Sequence, residues 1–348
     1  MALWLVRAGQ HGQGEQDFLN DDRIYMHWGN IERDLSGATT RSDIREIIEE
    51  ENPDWPKGKV SNGTGQVWGF VNGINTGDWI VLPSKTKAAI HFGEVTGPYV
   101  FNASQPEGRR QYRQVDWFAT DIPRSNFDQD ILYSFGALLT ICQIQRNNAE
   151  QRVRKMAHNG WKSTGRPVIL PNKNDGGDSD PNGETITDLA VAARDQIAQQ
   201  IIAHFKGHDM ARLVDAILRA QGYTTFISPP GPDKGVDILA APGPMGFGTP
   251  RLCVQVKSGD SALDRPTLDQ LIGTMQNMNA EQGLLVSWGG FKSSIDKEKA
   301  SQFFRVRLWD QGNLIEQLLD HYENLDENLK TELPLKRIWT VALPEDDG

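Results

Sequence analysis

The stretch from Gly235 to Lys257, GVDILAAPGPMGFGTPRLCVQVK, constrains the fold of this chain more than any other. Two apolar runs, VDILAA and RLCVQVK, flank a segment that is rich in glycine and proline. Because such a segment interrupts both helices and strands, the pattern predicts a hairpin of two antiparallel strands. With Ala241 opposite Cys253, the hairpin places Asp237 opposite Lys257.

The second strand of this hairpin brings further polar groups to the same edge. Side chains alternate between the faces of a strand, so Gln255 and Lys257 point one way and Val254 and Val256 the other. A carboxylate such as Asp237 and a carbonyl-type oxygen such as the amide of Gln255 can hold Mg²⁺, and an ammonium such as Lys257 beside them can offset charge on a phosphate. The predicted metal ligands are Asp237 and Val256. The arrangement suits phosphodiester hydrolysis. So short a pattern also fits a half-buried hairpin with solvated polar residues.

The segment from about His208 to Leu319 resembles the catalytic domain of Mrr-type restriction endonucleases, members of the PD-(D/E)XK nuclease superfamily. The residues that carry the resemblance occur in the family's order: Leu213, Val214, Ile217, Leu218, Gly222, Tyr223, Gly235, Val236, Asp237, Ile238, Gln255, Val256, Lys257, Gln270, Leu271, Gly273, Gly283, Leu284, Leu285 and Val286. The resemblance implies a DNA-cleaving domain whose catalytic core is Asp237, Gln255 and Lys257, with Mg²⁺ or Mn²⁺ as cofactor.

Two positions depart from the family pattern. Gln255 stands where the wider superfamily has an acid, and a neutral amide attracts a divalent cation less than a carboxylate does, so we expect weak metal binding without DNA. Mrr-type domains often carry a glutamate in their first helix, where this chain has Ala211. Asp215 lies one turn later on the same helix face and His208 one turn earlier, and either is a candidate for that role.

Beyond Lys257 the sequence alternates between predicted helices (265–278, 294–304 and 313–325) and strands (283–288 and 305–309). Together with the hairpin, this alternation predicts an α/β domain with a mixed central sheet flanked by helices. Ser258, Gln270 and Lys292 lie where loops or a helix end can contact the DNA backbone.

The first part of the chain has a different pattern. Short apolar runs separated by Gly, Pro and Asn predict a mixed, mainly β domain built on a small bent barrel, with strands at 66–71, 77–83, 89–95, 97–101 and 113–118. The spacing of GDWIVLP, HFGEV, GPY and VDW over residues 1–125 resembles the PUA-like superfamily, which includes EVE-type readers of modified bases. A helix is predicted over 131–155.

The PUA-like resemblance implies a pocket that holds a flipped, modified base between aromatic faces. The candidates for this pocket are Tyr25, Trp28, Trp68, Tyr99 and Trp117. The alternative for each of them is ordinary packing in the core or at the rim of a small barrel.

The net charge of −10, from 36 basic and 46 acidic residues, argues against a protein that coats nucleic acid without specificity. Local patches rather than totals set phosphate binding, however. Two basic clusters are candidates for contacts with the DNA backbone, although solvated surface is the usual role of such clusters. They consist of Arg109, Arg110 and Arg113, and of Arg146, Arg152, Arg154 and Lys155.

Composition also limits the domain plan and the location. Residues 162–184 are dense in Gly, Pro, Asn and Asp, which predicts a linker over 161–185 between a reader domain (1–160) and a nuclease domain with a C-terminal extension (186–348). The two cysteines support neither a disulfide framework nor a zinc site. Without an apolar run of roughly 18 residues or a signal-peptide pattern, we expect a cytoplasmic protein that does not contact membranes.

Together with these residue patterns, the Mrr-type and PUA-like resemblances imply a modification-dependent, type IV-like DNA restriction endonuclease that acts on double-stranded DNA. Because double-strand cleavage needs two nuclease domains, we expect a homodimer. One alternative is a defence or repair nuclease whose N-terminal domain senses another nucleic acid or a nucleotide. Another is a degenerate nuclease fold that only binds DNA.

Overall fold

The structure, a computed structural model, describes residues 1–9, 11–26, 31–137, 139–162, 189–229 and 235–339. The chain divides into two compact units, with the division between Ala193 and Arg194. The predicted linker lies outside the described residues from position 163 onward, and the three domain bounds stay predictions. No helix among the described residues has both the length and the apolar character needed to cross a bilayer.

The first unit is a strand-rich mixture of helices and strands. They are β1 (Leu3–Val6), α1 (Glu15–Asn20), β2 (Arg23–Tyr25), α2 (Arg41–Glu51), α3 (Lys57–Trp68), β3 (Trp79–Pro83), β4 (Ala89–Val95), β5 (Val100–Phe101), β6 (Gln111–Pro123), α4 (Gln129–Phe135), β7 (Ile141–Gln143) and α5 (Ala149–His158). The described strands form a seven-stranded sheet in the order β2-β6-β4-β3-β1-β7, with β5 on β6. Since no pairing joins β2 to β7 within the described residues, the predicted closed barrel is not confirmed.

The side chains of strand β1 contribute to two hydrophobic cores. Trp4 and Val6 pack in the core formed with α1, α2 and α3, whereas Leu3 and Leu5 pack in the core formed with α4 and α5. All four residues of β1 are buried. The period-two alternation of a strand with helices on both faces explains why its sequence is apolar throughout.

Two elements predicted for the first unit are wrong. Residues 66–71 are helical instead of extended, because α3 runs to Trp68 and continues into a π-helical turn at Gly69–Gly73. A short apolar run does not by itself distinguish a buried strand from a buried helix. The predicted helix over 131–155 is two helices with a strand between them, since β7 pairs with β1 and places Cys142 opposite Leu5.

The second unit contains the predicted mixed sheet. Its helices and strands are α6 (Leu189–His204, whose first five residues precede the division), α7 (His208–Ala220), β8 (Tyr223–Ile227), β9 (Ile238–Pro242), β10 (Leu252–Lys257), α8 (Arg265–Asn277), β11 (Gln282–Ser287), α9 (Ser293–Asp296), β12 (Val306–Trp309), α10 (Gln311–His321) and α11 (Glu327–Glu332). The described strands follow the order β12-β11-β10-β9-β8, antiparallel from β8 to β10 and parallel from β10 to β12. Helices α7 and α10 cover one face and α8 the other.

The hairpin of β9 and β10 forms as predicted, but its register differs by two residues. Leu239, not Ala241, lies opposite Cys253. The connecting loop closes on itself, with the Gly248 N–H donating to the Pro242 carbonyl at 3.0 Å, and Leu252 pairs with Ala240, two residues earlier on β9 than predicted. Asp237 therefore lies beside the middle of β10 and not opposite Lys257. A shift of two keeps every side chain on its predicted face.

Candidate active site

Asp237 lies just before β9, where the regular ladder with β10 ends. Its N–H donates to the Val254 carbonyl at 3.0 Å, and its carbonyl accepts from the Ser228 N–H at 2.8 Å. Its carboxylate Oδ2 accepts from the Val256 N–H at 2.7 Å. The Asp237 side chain thus takes the place of the main-chain acceptor that would otherwise pair with Val256 of β10. Main-chain bonds on both neighbouring strands fix the position of this carboxylate.

The same contact places a second oxygen beside the carboxylate. The N–H and C=O of a strand residue point to the same side of the strand, so the Val256 carbonyl also faces β9 and Asp237. Val256 is nearly buried, with 8% of its surface exposed, and it lines a pocket together with Asp237. One carboxylate and one main-chain carbonyl thus lie at the same end of the hairpin.

The pocket has a volume of about 530 Å³ and lies between the start of α7, the end of β10 and the loop that follows it. Its polar side chains are those of His208, Asp237, Lys257, Ser258 and Ser261. The structure therefore brings Asp237 and Lys257, two of the three predicted catalytic residues, to one cavity. Lys257 is exposed at the end of β10, where its ammonium can reach a bound anion.

A hydrogen bond connects two walls of this pocket. The Gly207 N–H donates to Ser258 Oγ at 2.8 Å, which ties the start of α7 to the residue after Lys257. Gly207 has a φ of +68°, a conformation that glycine adopts without strain. Ser258, predicted to contact the DNA backbone, thus has a structural bond and still lines the pocket.

A glycine shapes the wall formed by the loop after β10. A Cβ placed on Gly289 would lie 2.6 Å from the carbonyl carbon of Asp260 and 2.6 Å from the carbonyl oxygen of Ser261. The loop is further held by the Leu263 N–H, which donates to the Gly290 carbonyl at 2.9 Å. Sequence analysis missed Ser261, although the serine-rich KSGDS that follows the catalytic strand was a signal for it.

Gln255 is not among the described residues that line the pocket. It is 1% exposed, and it shares the face of β10 with Cys253, which packs against α8. Its Oε1 is buried without a hydrogen-bond partner. An unsatisfied buried acceptor costs about 1–3 kcal/mol, so this atom requires an explanation such as an ion or a water.

Sequence analysis left two candidates, Asp215 and His208, for the active-site residue on the first helix of the Mrr-type pattern. Asp215 is 6% exposed and its Oδ2 pairs with Arg219 at 2.9 Å, one turn along α7. Asp215 is not among the described residues that line the pocket, whereas Ala211 and His208 are. The structure thus brings His208, and not Asp215, to Asp237 and Lys257.

The donors in the pocket fit a divalent metal ion, although they are few. No group of three or more His, Cys, Asp and Glu side chains suited to a metal exists among the described residues. Mg²⁺ is commonly held by one or two carboxylates and completed by water and phosphate oxygens, however. Asp237 and the main chain of Val256, which both line the pocket, are compatible with this kind of site.

Comparison with known proteins identifies the class of the second unit. Residues 202–318 match a family model described as restriction endonuclease, the Mrr catalytic domain. The C-terminal region carries an Mrr-type restriction endonuclease domain. Residues 4–135 match a domain of unknown function, DUF8426, and the resemblance to PUA-like readers is not confirmed. No curated protein matches the chain.

Two solved structures have a low similarity to this chain. The MspJI restriction endonuclease in complex with a 27-mer oligonucleotide gives a TM-score of 0.32 at 12% identity, over 95% of this chain and 71% of that one. The DNA modification-dependent restriction endonuclease AspBHI also gives 0.32 at 12% identity, over 74% of this chain and 66% of that one. At TM-scores this low, neither similarity establishes a shared fold or function.

Two other predicted DNA contacts lie on the surface of the Mrr-type domain. Gln270 is exposed on α8, and its Nε2 lies 3.6 Å from the position that a Cβ on Gly235 would occupy. Lys292 is exposed, and its Nζ lies 4.0 Å from Asp264. Gln270 and Lys292 are not among the described residues that line the pocket, so either residue can contact only DNA that extends beyond the pocket.

In the first unit, the arginines predicted to bind the DNA backbone have protein partners. Arg113 is 4% exposed and donates to the carbonyls of Phe70 at 2.7 Å and Val71 at 2.8 Å. Burial lowers the pKa of its guanidinium to about 10. A buried guanidinium does not reach phosphate, so the prediction for Arg113 is wrong.

Four of the remaining basic candidates, Arg109, Arg110, Arg152 and Arg154, form ion pairs. Arg109 pairs with Asp17 and Asp21, and Arg110 pairs with Glu32 at 3.2 Å. In the second cluster, Arg152 pairs with Asp128 and Asp130, and Arg154 pairs with Glu150 and lies 4.1 Å from the Trp79 ring centroid. DNA would have to displace carboxylates at each of these arginines.

The predicted aromatic pocket is not present among the described candidates. Tyr25 is 1% exposed and donates to Asp21 at 2.7 Å, and Trp117 donates to the Phe18 carbonyl at 2.9 Å. Tyr99 donates to Gln111 at 2.8 Å. Trp68 packs, partly buried, against the core that contains Tyr25. Their interactions are those of core residues. Trp28 lies outside the described residues.

A buried polar cluster in the first unit was not found from sequence. Ser84 donates to Glu15 Oε1 at 2.9 Å, and His91 Nε2 lies 3.4 Å from the same oxygen. The Asp121 N–H donates to His91 Nδ1 at 3.1 Å. Burial alone would raise the pKa of Glu15, but hydrogen bonds from His91 and Ser84 outweigh it and the pKa is lowered. The cluster ties α1 to the hairpin of β3 and β4.

Proposed function

We propose that this chain is a DNA endonuclease that hydrolyses phosphodiester bonds with a divalent metal ion, and that its first unit directs cleavage to modified DNA. The observation that carries the proposal is that Asp237 and Lys257 line one pocket within the region that matches restriction endonucleases. A carboxylate and an ammonium in one cavity suit the binding of a metal and a phosphate.

In the proposed mechanism, the Asp237 carboxylate and the main-chain oxygen of Val256 would hold Mg²⁺. When bound, the ion supplies Lewis acidity at the scissile phosphate. The bond from the Val256 N–H keeps the Asp237 carboxylate in place before substrate arrives, which reduces reorganisation. Lys257 stabilises the charge that develops on the phosphate as water attacks.

Gln255 has a supporting role in this proposal. Its amide lies on the α8 face of β10 and its Oε1 has no protein partner. We propose that this oxygen binds a water or the metal itself from the edge of the pocket. A neutral ligand in this position gives a weak metal site, which substrate phosphates would strengthen.

The proposed dependence on modified bases rests on the resemblance of residues 1–125 to PUA-like readers. Recognition in one unit and cleavage in another would let the cut fall away from the mark. Because one pocket cuts one strand at a time, double-strand cleavage is proposed to require a homodimer.

The test of the activity uses two variants of the full chain with Mg²⁺ or Mn²⁺. Lys257→Ala and Asp237→Asn should each lower DNA cleavage by about a hundredfold or more, because each removes charge from the proposed reaction centre. Lys297→Ala and Asp320→Asn are matched controls, since both residues are exposed in the same unit and outside the pocket. Equal loss in a control, or no loss in the pocket variants, contradicts the proposed site.

The test of modification dependence uses the wild-type chain. Methylated, hydroxymethylated and unmodified duplexes of one sequence are digested in parallel, and the first-order rates are compared. We expect one modified duplex to be cut at least about tenfold faster. Equal rates on all three remove the reader function and leave the endonuclease.

A second function, DNA binding without cleavage, is favoured by two observations. Ala211 offers no polar group to the pocket, and Gln255 does not line it. If the fold only binds DNA, the wild-type chain and Lys257→Ala will show the same background hydrolysis with every metal ion tested. Measurable cleavage that Lys257→Ala abolishes excludes this alternative.

A further inference from the structure

The pocket of the Mrr-type domain contains a titratable side chain that the proposed mechanism does not use. Among its described lining residues, the titratable side chains are His208, Asp237 and Lys257. A lysine ammonium has no lone pair to offer a metal ion. His208 and Asp237 are therefore the two lining side chains that can bind a metal ion strongly.

We propose that His208 supplies a nitrogen ligand to the metal ion bound at Asp237, so that the site prefers a transition-metal ion such as Mn²⁺ or Co²⁺ over Mg²⁺. This inference rests on the proposed function, because it concerns the metal ion of the same pocket. It names the ion class and a ligand.

The position of His208 is fixed by the local fold. His208 is the first residue of α7, and the preceding Gly207 N–H donates to Ser258 Oγ at 2.8 Å. Ser258 directly follows Lys257, so the hydrogen bond holds the start of α7, and with it the main chain of His208, beside the end of β10, and His208 lines the pocket there. The side chain is exposed, and no protein partner within the described residues competes for its ring nitrogens in a hydrogen bond or ion pair.

The helix face beside His208 leaves space for an ion. Residues three apart on a helix lie on one face, so His208 and Ala211 are neighbours, and both line the pocket. Ala211 is 2% exposed and ends at its methyl group. A larger side chain at that position would occupy the volume next to Asp237.

The chemistry of the donors sets the preference. Mg²⁺ prefers oxygen ligands in a near-ideal octahedron, and this pocket offers it a single carboxylate. Divalent transition-metal ions accept an imidazole nitrogen more readily than Mg²⁺ does, and affinity for nitrogen-containing sites rises from Mn²⁺ through Co²⁺ to Ni²⁺. One nitrogen added to a carboxylate and a carbonyl therefore shifts selectivity away from Mg²⁺.

The test measures the metal ion directly in the full chain. Mn²⁺ is titrated into the wild type, His208→Ala, His208→Gln and the control His204→Ala, an exposed histidine in α6 outside the pocket. Free Mn²⁺ is followed by electron paramagnetic resonance, and coupling to ¹⁴N is read from the bound ion by spin-echo modulation. Circular dichroism establishes that each variant is folded.

We expect ¹⁴N coupling in the wild type and in His204→Ala, and none in His208→Ala or His208→Gln. Mn²⁺ affinity should fall on the order of ten- to a hundredfold in His208→Ala. His208→Gln, which offers an amide oxygen in place of the nitrogen, should bring the relative affinities for Mn²⁺ and Mg²⁺ closer together.

Wild-type protein that binds no Mn²⁺, binds it without ¹⁴N coupling, or keeps that coupling in His208→Ala overturns the inference. The proposed function fails separately. If the nitrogen signal depends on His208 but no DNA is cut with any ion, the ligand stands and the endonuclease does not. If DNA is cut and Lys257→Ala abolishes the cutting while His208→Ala leaves Mn²⁺ binding unchanged, the endonuclease stands alone.

Discussion

The Asp237 carboxylate and the Val256 N–H are joined by a hydrogen bond of 2.7 Å, in which a side chain replaces the main-chain partner expected in an antiparallel ladder. The residue proposed to hold the metal ion therefore also completes the hydrogen bonding of β10. Substitutions of Asp237 can therefore remove its negative charge either with or without its hydrogen bond to Val256.

Asp237→Asn and Asp237→Ala should differ in stability but not in activity. Asn can still accept the Val256 N–H, whereas Ala leaves that N–H without its partner at a cost of about 1–3 kcal/mol. We expect both variants to lose cleavage and only Asp237→Ala to unfold at a lower temperature. Thermal unfolding by circular dichroism makes the comparison, and equal unfolding temperatures would show that the bond contributes nothing to the fold.

The buried Glu15 should make the first unit sensitive to acid. Its folded pKa lies below its ordinary value of 4.5, because hydrogen bonds from His91 and Ser84 outweigh the effect of burial. A lowered pKa stabilises the folded state above about 4.5, and the contribution disappears as the pH falls through the folded value. The wild-type chain should therefore lose stability over that interval.

Glu15→Gln tests this expectation, with the exposed Glu46→Gln as its control. Tryptophan fluorescence followed during unfolding between pH 7 and pH 3 gives the stability of each variant. The difference between the wild type and Glu15→Gln should shrink as the pH decreases. A difference that does not vary with pH would assign the stabilisation to packing instead of charge.

Arg113 should matter for folding and Arg109 should not. Arg113 makes two hydrogen bonds from a buried guanidinium, and bonds from charged groups contribute about 1.5–3 kcal/mol each. Arg113→Ala should destabilise the first unit by about 3 kcal/mol. Arg109→Ala removes partly exposed ion pairs, each worth about 0–1 kcal/mol. Urea unfolding of both variants decides between these magnitudes, and the reverse order would contradict the structure.

Tyr99 should ionise at a higher pH than an exposed tyrosine. Burial raises its pKa to about 12, and its hydroxyl donates to Gln111 and accepts from the Leu35 N–H. A pKa above the unfolded value of about 10 stabilises the fold below pH 10, and the contribution is lost as the pH rises toward 12. Ultraviolet absorbance titration should show a late component that Tyr99→Phe removes. An unchanged titration in Tyr99→Phe would assign that component to another tyrosine.

The meeting of Asp237 and Lys257 was predictable because it depends on local periodicity. Alternation along β10 and the turn composition after β9 determine which faces and which end these residues share. The register was not predictable, because it depends on how residues 243–251 fold back, with a bond from Gly248 to the Pro242 carbonyl. Composition identifies a loop but not its internal hydrogen bonds.

The first unit shows a second limit of prediction from sequence. From sequence alone, Trp117 and Tyr25 fit a base-binding pocket and a hydrophobic core equally well, since both environments favour amphipathic rings. The difference lies in their partners, the Phe18 carbonyl and Asp21. The Phe18 carbonyl is 99 residues away from Trp117 in the chain, and no local pattern reveals it. Arg113 was misassigned for the same reason.

The close approach of Gly289 to the loop at Asp260 and Ser261 bears on how inactive variants are interpreted. A methyl group at this position would push aside the main chain that forms one side of the cavity, yet it would alter no charge and no proton donor. A genetic screen for lost cleavage should therefore recover changes at position 289 as readily as at Asp237. Such changes would report a deformed cleft, and counting them as evidence for a chemical role would misplace the reaction centre.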